Sequence, residues 1–235
     1  LARQIQQTFI PETLPQFPEW ELAARWKTAR QVGGDFYDVF DLPDRRLGLF
    51  IADVADKGVP AALFMALTRT LVRAAVTELE SPAEAMRRVN DLLMPDTRQG
   101  MFVTAVYAVL DMEKNELTYV NAGHNPPLWM KHNAEVERLT RTAIALGVVT
   151  GEPVGQRTIK LENGDTLLLY TDGLTESFNN DAEFFGEERL IDAIQSNQYS
   201  SASELMDVVE KSLLNFVQDV PPADDLTMLV LRRVG

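Results

Sequence analysis

Apolar residues recur along this chain with two periods, and the switch between them divides it into elements. Trp20 to Trp26 alternates large apolar with smaller or polar side chains, the period of a half-buried strand. Phe36 to Phe40, Arg46 to Asp53, Phe102 to Leu110, Glu116 to Val120, Leu128 to Met130, Glu135 to Leu139, Gln156 to Leu161, Thr166 to Tyr170 and Leu226 to Arg232 read as further strands. Turn residues punctuate them at Pro43-Asp44, Asp111 to Asn115, Asn121 to Pro127 and Asn163-Gly164-Asp165, the last a tight turn. The helical period appears over Pro60 to Leu79. There Leu63, Leu67, Leu71 and Ala75 make an apolar stripe, and Arg69, Arg73, Thr77 and Glu80 a polar one read as a solvated face. Ser81-Pro82-Ala83-Glu84 is a capping box with proline at the first helical position, opening a helix that runs to about Met94, before Pro95. Glu187 to Ile194 is a short helix. Ser201-Ala202-Ser203-Glu204 is a second capping box, and the helix after it carries Leu205, Val208, Val209, Ser212, Leu213 and Phe216 on one face.

Strands in hairpin-like runs and helices in pairs predict an α+β fold, with helices packed outside mostly antiparallel sheets. Strict βαβ alternation is absent. Residues 20–235 contain no repeat, low-complexity segment or boundary and read as one domain. Ahead of them Leu1, Ile5 and Phe9 recur every four residues, as at the end of a helix. Pro11, Pro15 and Pro18 then forbid helix and make a stiff linker. The chain begins at Leu1 rather than Met, which suggests a piece excised from something longer.

Composition narrows the chemistry. The net charge is −13, from 22 basic and 35 acidic residues, which argues against nucleic acid and against contact with an anionic membrane. There is no cysteine, so no disulfide and no thiolate zinc site is expected, and His124 and His132 are too few for a histidine-rich site. A metal here would be held by oxygen, which points to magnesium, manganese or calcium. No apolar run approaches the ~20 residues of a membrane span.

Four acidic stretches share one context. Asp53 in Ile51 to Gly58, Asp35 after Gly33-Gly34, Asp172 before Gly173, and Asp224-Asp225 before Leu226 each stand where an apolar run meets small residues. A carboxylate at the end of a buried strand is costly unless its charge is compensated. Singly, an Asp-Gly pair is an ordinary turn, Gly33-Gly34 a bulge, and Asp224-Asp225 a surface turn. Together the four read as converging on a pair of hard metal ions.

The motifs also carry a family resemblance. Val-Gly-Gly-Asp-Phe-Tyr-Asp (32–38), Ala-Asp-Val-Ala-Asp-Lys-Gly-Val-Pro-Ala-Ala-Leu (52–63), Tyr-Val-Asn-Ala-Gly-His-Asn-Pro-Pro (119–127), Tyr-Thr-Asp-Gly-Leu-Thr-Glu (170–176) and Asp-Asp-Leu-Thr (224–227) occur in that order. The chain resembles PPM-type metal-dependent serine/threonine protein phosphatases of the bacterial SpoIIE/RsbU branch, from about Arg30 to Arg232. The resemblance implies a four-layer sandwich, two mostly antiparallel sheets flanked by helices. It implies hydrolysis of phosphoserine or phosphothreonine on a small cytoplasmic regulatory protein, with an anti-sigma-factor antagonist the best guess. It also implies two Mn²⁺ or Mg²⁺ ions, about 3.5–4 Å apart, sharing a hydroxide that attacks phosphorus in line.

By that resemblance Asp53 bridges the ions and the Val54 carbonyl joins the second. Asp172 and Asp224 hold the first, Asp35 serves the second directly or through water, and Asp225 supports Asp224 within the same metal-binding set. Glycines beside Asp35 and Asp172 are expected to allow close backbone approach and unusual dihedrals. Asp38 and Asp56 are read as carboxylates behind the ligands or facing solvent, His124 as a structural hydrogen-bonding residue, and Thr104 and Asn121 as supports on neighbouring strands. Arg30 is either a contact for substrate phosphate or a strand-edge surface arginine. Two departures stand out. Ala55 occupies the place where better-known relatives carry a histidine, which leaves the general acid unassigned. Asp56 stands where many relatives of the branch have glycine. In this branch a segment like 1–19 commonly joins the phosphatase to an upstream sensor or receiver domain, and the short stripe implies a partner helix or a homodimer. The competing class is a degenerate phosphatase that binds a partner without turning it over. A metal-dependent nuclease or phosphodiesterase is disfavoured by the acidic balance and the lack of a basic stripe.

Overall fold

The computed structural model describes residues 2–97 and 100–235. Among these described residues ten strands form two sheets of five. The first has the order β1 (Trp20–Lys27), β10 (Leu226–Arg233), β9 (Thr166–Tyr170), β6 (Leu128–Met130), β7 (Val136–Arg138). The second runs β2 (Phe36–Leu42), β3 (Arg46–Val54), β4 (Val103–Asp111), β5 (Glu116–Ala122), β8 (Arg157–Lys160). Every strand pair is antiparallel. Helices α2 (Val59–Glu78) and α3 (Pro82–Leu93) lie on the second sheet; α5 (Gly186–Gln195) and α6 (Ala202–Val217) lie on the first. This is the expected four-layer sandwich. Its main core holds Phe36, Phe50, Tyr107 and Leu167, and a second cluster under α5 and α6 holds Leu168, Tyr170, Leu205 and Val230.

Both capping boxes form their forward bond. Ser81 Oγ accepts from Glu84 N at 3.4 Å and Ser201 Oγ from Glu204 N at 3.1 Å. Elsewhere the structure corrects the pattern. In α2 the buried residues are Ala61, Phe64, Met65, Thr68, Val72, Ala75 and Val76, while Leu63 is 67% exposed. The helix packs one position round from the Leu63-Leu67-Leu71 row, and only Ala75 belongs to both faces. Its polar side is solvated at Thr77 and Glu80, but the two arginines are paired. Arg73 Nε and an Nη meet the Asp38 carboxylate at 2.6 and 2.7 Å, and Arg69 Nε lies 3.0 Å from it. Asp38 is fully buried by this contact, so it is a structural counter-ion rather than a solvent carboxylate. α2 is also long and apolar enough to cross a membrane by length and mean hydropathy, contrary to the reading of its sequence, yet here it packs on a sheet.

The Asn163-Gly164 turn does not close a hairpin. β8 and β9 belong to different sheets, and the turn carries the chain between them. At the start, α1 (Ala2–Gln7) is a six-residue helix; Leu1, the first member of the proposed stripe, lies outside the described residues. Its anchors are Gln6 and Ile10, both buried, whereas Ile5 is exposed.

The register brings one end of each sheet together. The end of β3 pairs with the starts of β2 and β4, since Phe36 lies opposite Ala52 and Val103 opposite Val54. In the other sheet the end of β9 and the end of β1 both meet the start of β10, with Tyr170 opposite Met228 and Lys27 opposite Leu226. All four acidic stretches therefore leave strands at this rim.

Candidate active site

Asp53 is the last residue but one of β3, directly opposite Thr104. The strand before it is buried from Leu47 to Ala52, so its position is set by the core. Asp35 precedes β2 and is almost fully buried. Its Oδ2 accepts from Thr171 Oγ1 at 2.5 Å and from Thr227 Oγ1 at 3.0 Å, and its main-chain carbonyl accepts from Trp26 Nε1 at 2.8 Å. Asp172 opens the single-turn helix α4 (Asp172–Thr175) and is half-buried. Asp224 and Asp225 precede β10.

The two neighbours are used differently. Asp225 is buried and accepts backbone hydrogen bonds from Ala29 N at 2.9 Å, Gly34 N at 2.9 Å and Asp35 N at 3.5 Å. Asp224 is partly exposed, and its Oδ2 accepts from Lys57 Nζ at 2.5 Å. The glycines supply room. A Cβ on Gly33 would sit 1.8 Å from Asp225 Oδ2, and one on Gly173 1.8 Å from the Asp225 carbonyl. Gly34 approaches the Val54 carbonyl less closely, where a Cβ would stand 3.0 Å from the oxygen. None of the three has a left-handed φ, so close approach rather than unusual dihedrals selects them. The Val54 carbonyl already accepts from Asp56 N at 2.7 Å.

These acids repel one another. Burial, then the Asp53 charge, raises the Asp35 carboxyl well above the usual carboxylate range. Burial, then Asp172, pushes Asp53 up to about 7. Asp172 is raised by burial, then by Glu176 and Asp224, and Asp225 is raised by burial against its backbone donors. Such a cluster calls for cations. The donor set is all oxygen and fits a hard divalent ion. Among the described residues, however, no three acids are gathered about one point closely enough to hold an ion. Asp224 is turned to Lys57, and Asp35 to the two threonines.

The other singled-out residues separate clearly. Asp56 is exposed and its Oδ1 accepts from Lys57 N at 2.7 Å, closing the turn before α2. Arg30 is exposed and lines the cleft together with Lys57, Asp53, Asp56, Asp224 and Asp225. Thr104 and Asn121 both bind His124, which is buried and has both ring nitrogens hydrogen-bonded. Lys57, Thr171, Thr227, Glu176 and Trp26 escaped the sequence reading. Four of them lie inside or beside the quoted motifs, but only the aspartates of those motifs were weighed as donors. Nothing in the pattern pointed to Trp26.

The chain matches the model of the family described as Stage II sporulation protein E (SpoIIE) over residues 43–234. It is 33% identical to Protein IcfG of Synechocystis sp. over 259 aligned residues, covering 99% of this chain and 41% of that one. It is 31% identical to Phosphoserine phosphatase RsbU of Bacillus subtilis over 235 residues, covering 99% of this chain and 69% of RsbU. The chain thus spans less than half of the first relative and about two thirds of the second. Among solved structures, that of the RsbU and RsbW domains of Rv1364c from Mycobacterium tuberculosis superposes with a TM-score of 0.79 at 30% identity, over 94% of this chain and 63% of that one. By its motifs, its sandwich and these matches, the chain belongs to the SpoIIE family, the SpoIIE/RsbU branch of the PPM-type protein phosphatases.

Proposed function

We propose that this chain is a metal-dependent phosphatase of phosphoserine or phosphothreonine on a small cytoplasmic regulatory protein, of the anti-sigma-factor-antagonist kind. The observation that carries the proposal is the gathering of five aspartates from four distant segments at one rim, with Asp35, Asp53, Asp172 and Asp225 all raised by burial and mutual repulsion. In this reading Asp53, Asp172 and Asp224 would hold one Mn²⁺ or Mg²⁺ ion, and Asp53, Asp35 and the Val54 carbonyl would hold a second. Bound there, the ions would neutralise the cluster, polarise the phosphoryl group and make a water nucleophilic at neutral pH. The chain's own residues do the positioning. Thr171 and Thr227 aim Asp35, Asp225 ties the Gly33–Asp35 loop to the start of β10, and Arg30 and Lys57 bring positive charge to a cleft that must admit a phosphate dianion.

The name of RsbU supports phosphoserine as the substrate group, and the RsbU–RsbW pairing in Rv1364c supports a partner from a sigma-factor switch. We further propose that residues 1–19 join the domain 20–235 to an upstream sensor or receiver domain and favour a homodimer. A second reading, a catalytically weak partner-binding module, is favoured by the Lys57–Asp224 pair, which puts a side-chain cation on an acid meant for an ion.

One experiment separates the two. Wild type should hydrolyse a generic aryl phosphate with added Mn²⁺ and stop with chelator, and should prefer phosphoserine over phosphotyrosine peptides. Asp53→Asn keeps the volume and removes the bridging charge, so nearly all activity should go. Equal rates for the two proteins would end the two-ion reading, and no rate for either would favour the binding module.

A further inference from the structure

Besides the bonds from Thr171 and Thr227 to Asp35, a buried histidine joins the two sheet ends that carry the acidic cluster. His124 is 5% exposed, and its Nδ1 lies 2.8 Å from Thr104 Oγ1 while Nε2 lies 3.1 Å from the Tyr170 carbonyl. A carbonyl only accepts, so Nε2 carries the proton, and Nδ1 accepts from the threonine hydroxyl. The ring thus spans from β4 in one sheet to β9 in the other. Its anchor points are placed with respect to the site: Thr104 is the register partner of Asp53, and Tyr170 ends the strand two residues before Asp172.

The turn that presents the ring is itself held. His124 N donates to Asn121 Oδ1 at 2.9 Å, and Asn121 Nδ2 donates to the Leu139 carbonyl at 3.1 Å. Gly123 has φ 72° and packs so closely that a Cβ would come 3.3 Å from Ala145 N. An Asn-Ala-Gly-His turn fixed at these points delivers the imidazole in one orientation. The ring's two hydrogen bonds go to Thr104 and Tyr170 rather than to an aspartate, so its role is to position.

We propose that His124 is a positioning residue, a strut that fixes the separation between the β3–β4 end bearing Asp53 and the β9 end leading to Asp172. This rests on the metal-site reading given above. An ordinary core histidine would contribute stability alone; a strut also sets how well separated donors meet one cation. Donors on two sheets can share an ion only at one sheet spacing, and a hydrogen-bonded ring with acceptor and donor on opposite edges holds that spacing more stiffly than apolar packing does.

The test is Mn²⁺ binding by calorimetry, run well below the unfolding transition on wild type, His124→Phe, His124→Gln and Thr104→Val, each shown folded by circular dichroism. Partners that orient metal ligands typically change affinity about 10–100-fold on mutation, and His124→Phe should fall in that range. Thr104→Val breaks one end only and keeps the ring, so it guards against a phenylalanine variant that fails to fold; it should lose affinity to a smaller degree. The double variant should be no weaker than His124→Phe alone, because both cut one linkage. A lowered melting temperature with unchanged Mn²⁺ affinity in folded His124→Phe and Thr104→Val would overturn the strut and leave the metal site standing. A wild type that binds no Mn²⁺ would overturn both.

Discussion

At the scale of single residues, the acids at the rim place function against stability. Asp53 titrates near 7 in the fold against an ordinary value of 3.8. A carboxyl raised in this way binds its proton more tightly when folded, so its contribution to stability is complete below 3.8 and is lost as pH rises through about 7. Asp53→Asn should therefore stabilise the chelator-treated protein at pH 8, with the gain shrinking to nothing towards pH 4, by denaturant titration at each pH. Comparing the two proteins cancels groups that the Asp53 charge does not shift, notably His124, held by burial down to about 4, whose linkage runs the opposite way; Asp35, which that charge raises, is relieved by the same substitution and adds to the gain. A gain that did not vary with pH would mean that Asp53 is no more strained than a surface acid. Lys57 gives the complementary case. Its bond to Asp224 is half-exposed, so Lys57→Gln should cost no more than about 1 kcal/mol. Removing the charge should nonetheless tighten Mn²⁺ binding, because Lys57 and an ion want the same carboxylate. Unchanged affinity in calorimetry would put Lys57 outside the site. The sequence disclosed the aspartates because acids at the ends of apolar runs are improbable without a purpose. It did not disclose Lys57, Thr171 or Thr227, since a lysine or threonine in a turn is unremarkable until the fold shows what it faces.

At the scale of elements, the sequence is most legible where one interaction decides the structure. The capping boxes at Ser81 and Ser201 are local, and both helices start there. Apolar runs between turn residues likewise marked the ten strands of the described residues to within a few positions. α2 is where local pattern fails. Leu63, Phe64, Met65, Leu67, Leu71 and Val72 make it apolar on most of its circumference, so two adjacent stripes compete and only the sheet beneath chooses between them. The choice is measurable. Phe64 is buried, and Phe64→Ala should cost about 3–5 kcal/mol, whereas Leu63→Ala, at an exposed position, should stay within about 0.5 kcal/mol in urea unfolding. Comparable losses would mean that α2 is rotated from the face described. The same blindness to partners hid the role of Arg69 and Arg73. Their acceptor, Asp38, is more than thirty residues away in sequence, and no helical period signals a counter-ion on another strand.

At the scale of the whole molecule, the N-terminal segment touches the machinery more directly than its composition suggests. Gln6 makes a two-way bond with one residue, its Nε2 donating to the Gly33 carbonyl at 2.6 Å and its Oε1 accepting from Gly33 N at 3.1 Å. Gly34, next along, donates to Asp225. A path of three links thus runs from α1 to the acids, through a loop with no side chain to absorb a displacement. Behind it the Pro11 carbonyl accepts from Tyr37 Oη at 3.1 Å, and Phe9 lies under Arg69, so the proline-rich stretch is fastened to the domain. Ile5 remains 52% exposed on a six-residue helix, far below the ~12 residues at which an isolated helix holds itself. In the proposed joint Gln6 would couple the segment to the site, and the exposed Ile5 would meet a partner. The two roles should separate by mutation. Gln6→Ala should weaken Mn²⁺ binding and the metal-dependent rate in this chain without changing self-association. Ile5→Ser should do the reverse, lowering self-association in sedimentation while leaving the rate of the isolated chain intact. Phe9→Ser, which loosens the segment from α2, should follow Gln6→Ala. In a longer chain carrying the proposed upstream domain, Ile5→Ser should also blunt whatever signal that domain sends. If all three variants match wild type in rate, affinity and association, residues 1–19 are a tether and the joint does not exist.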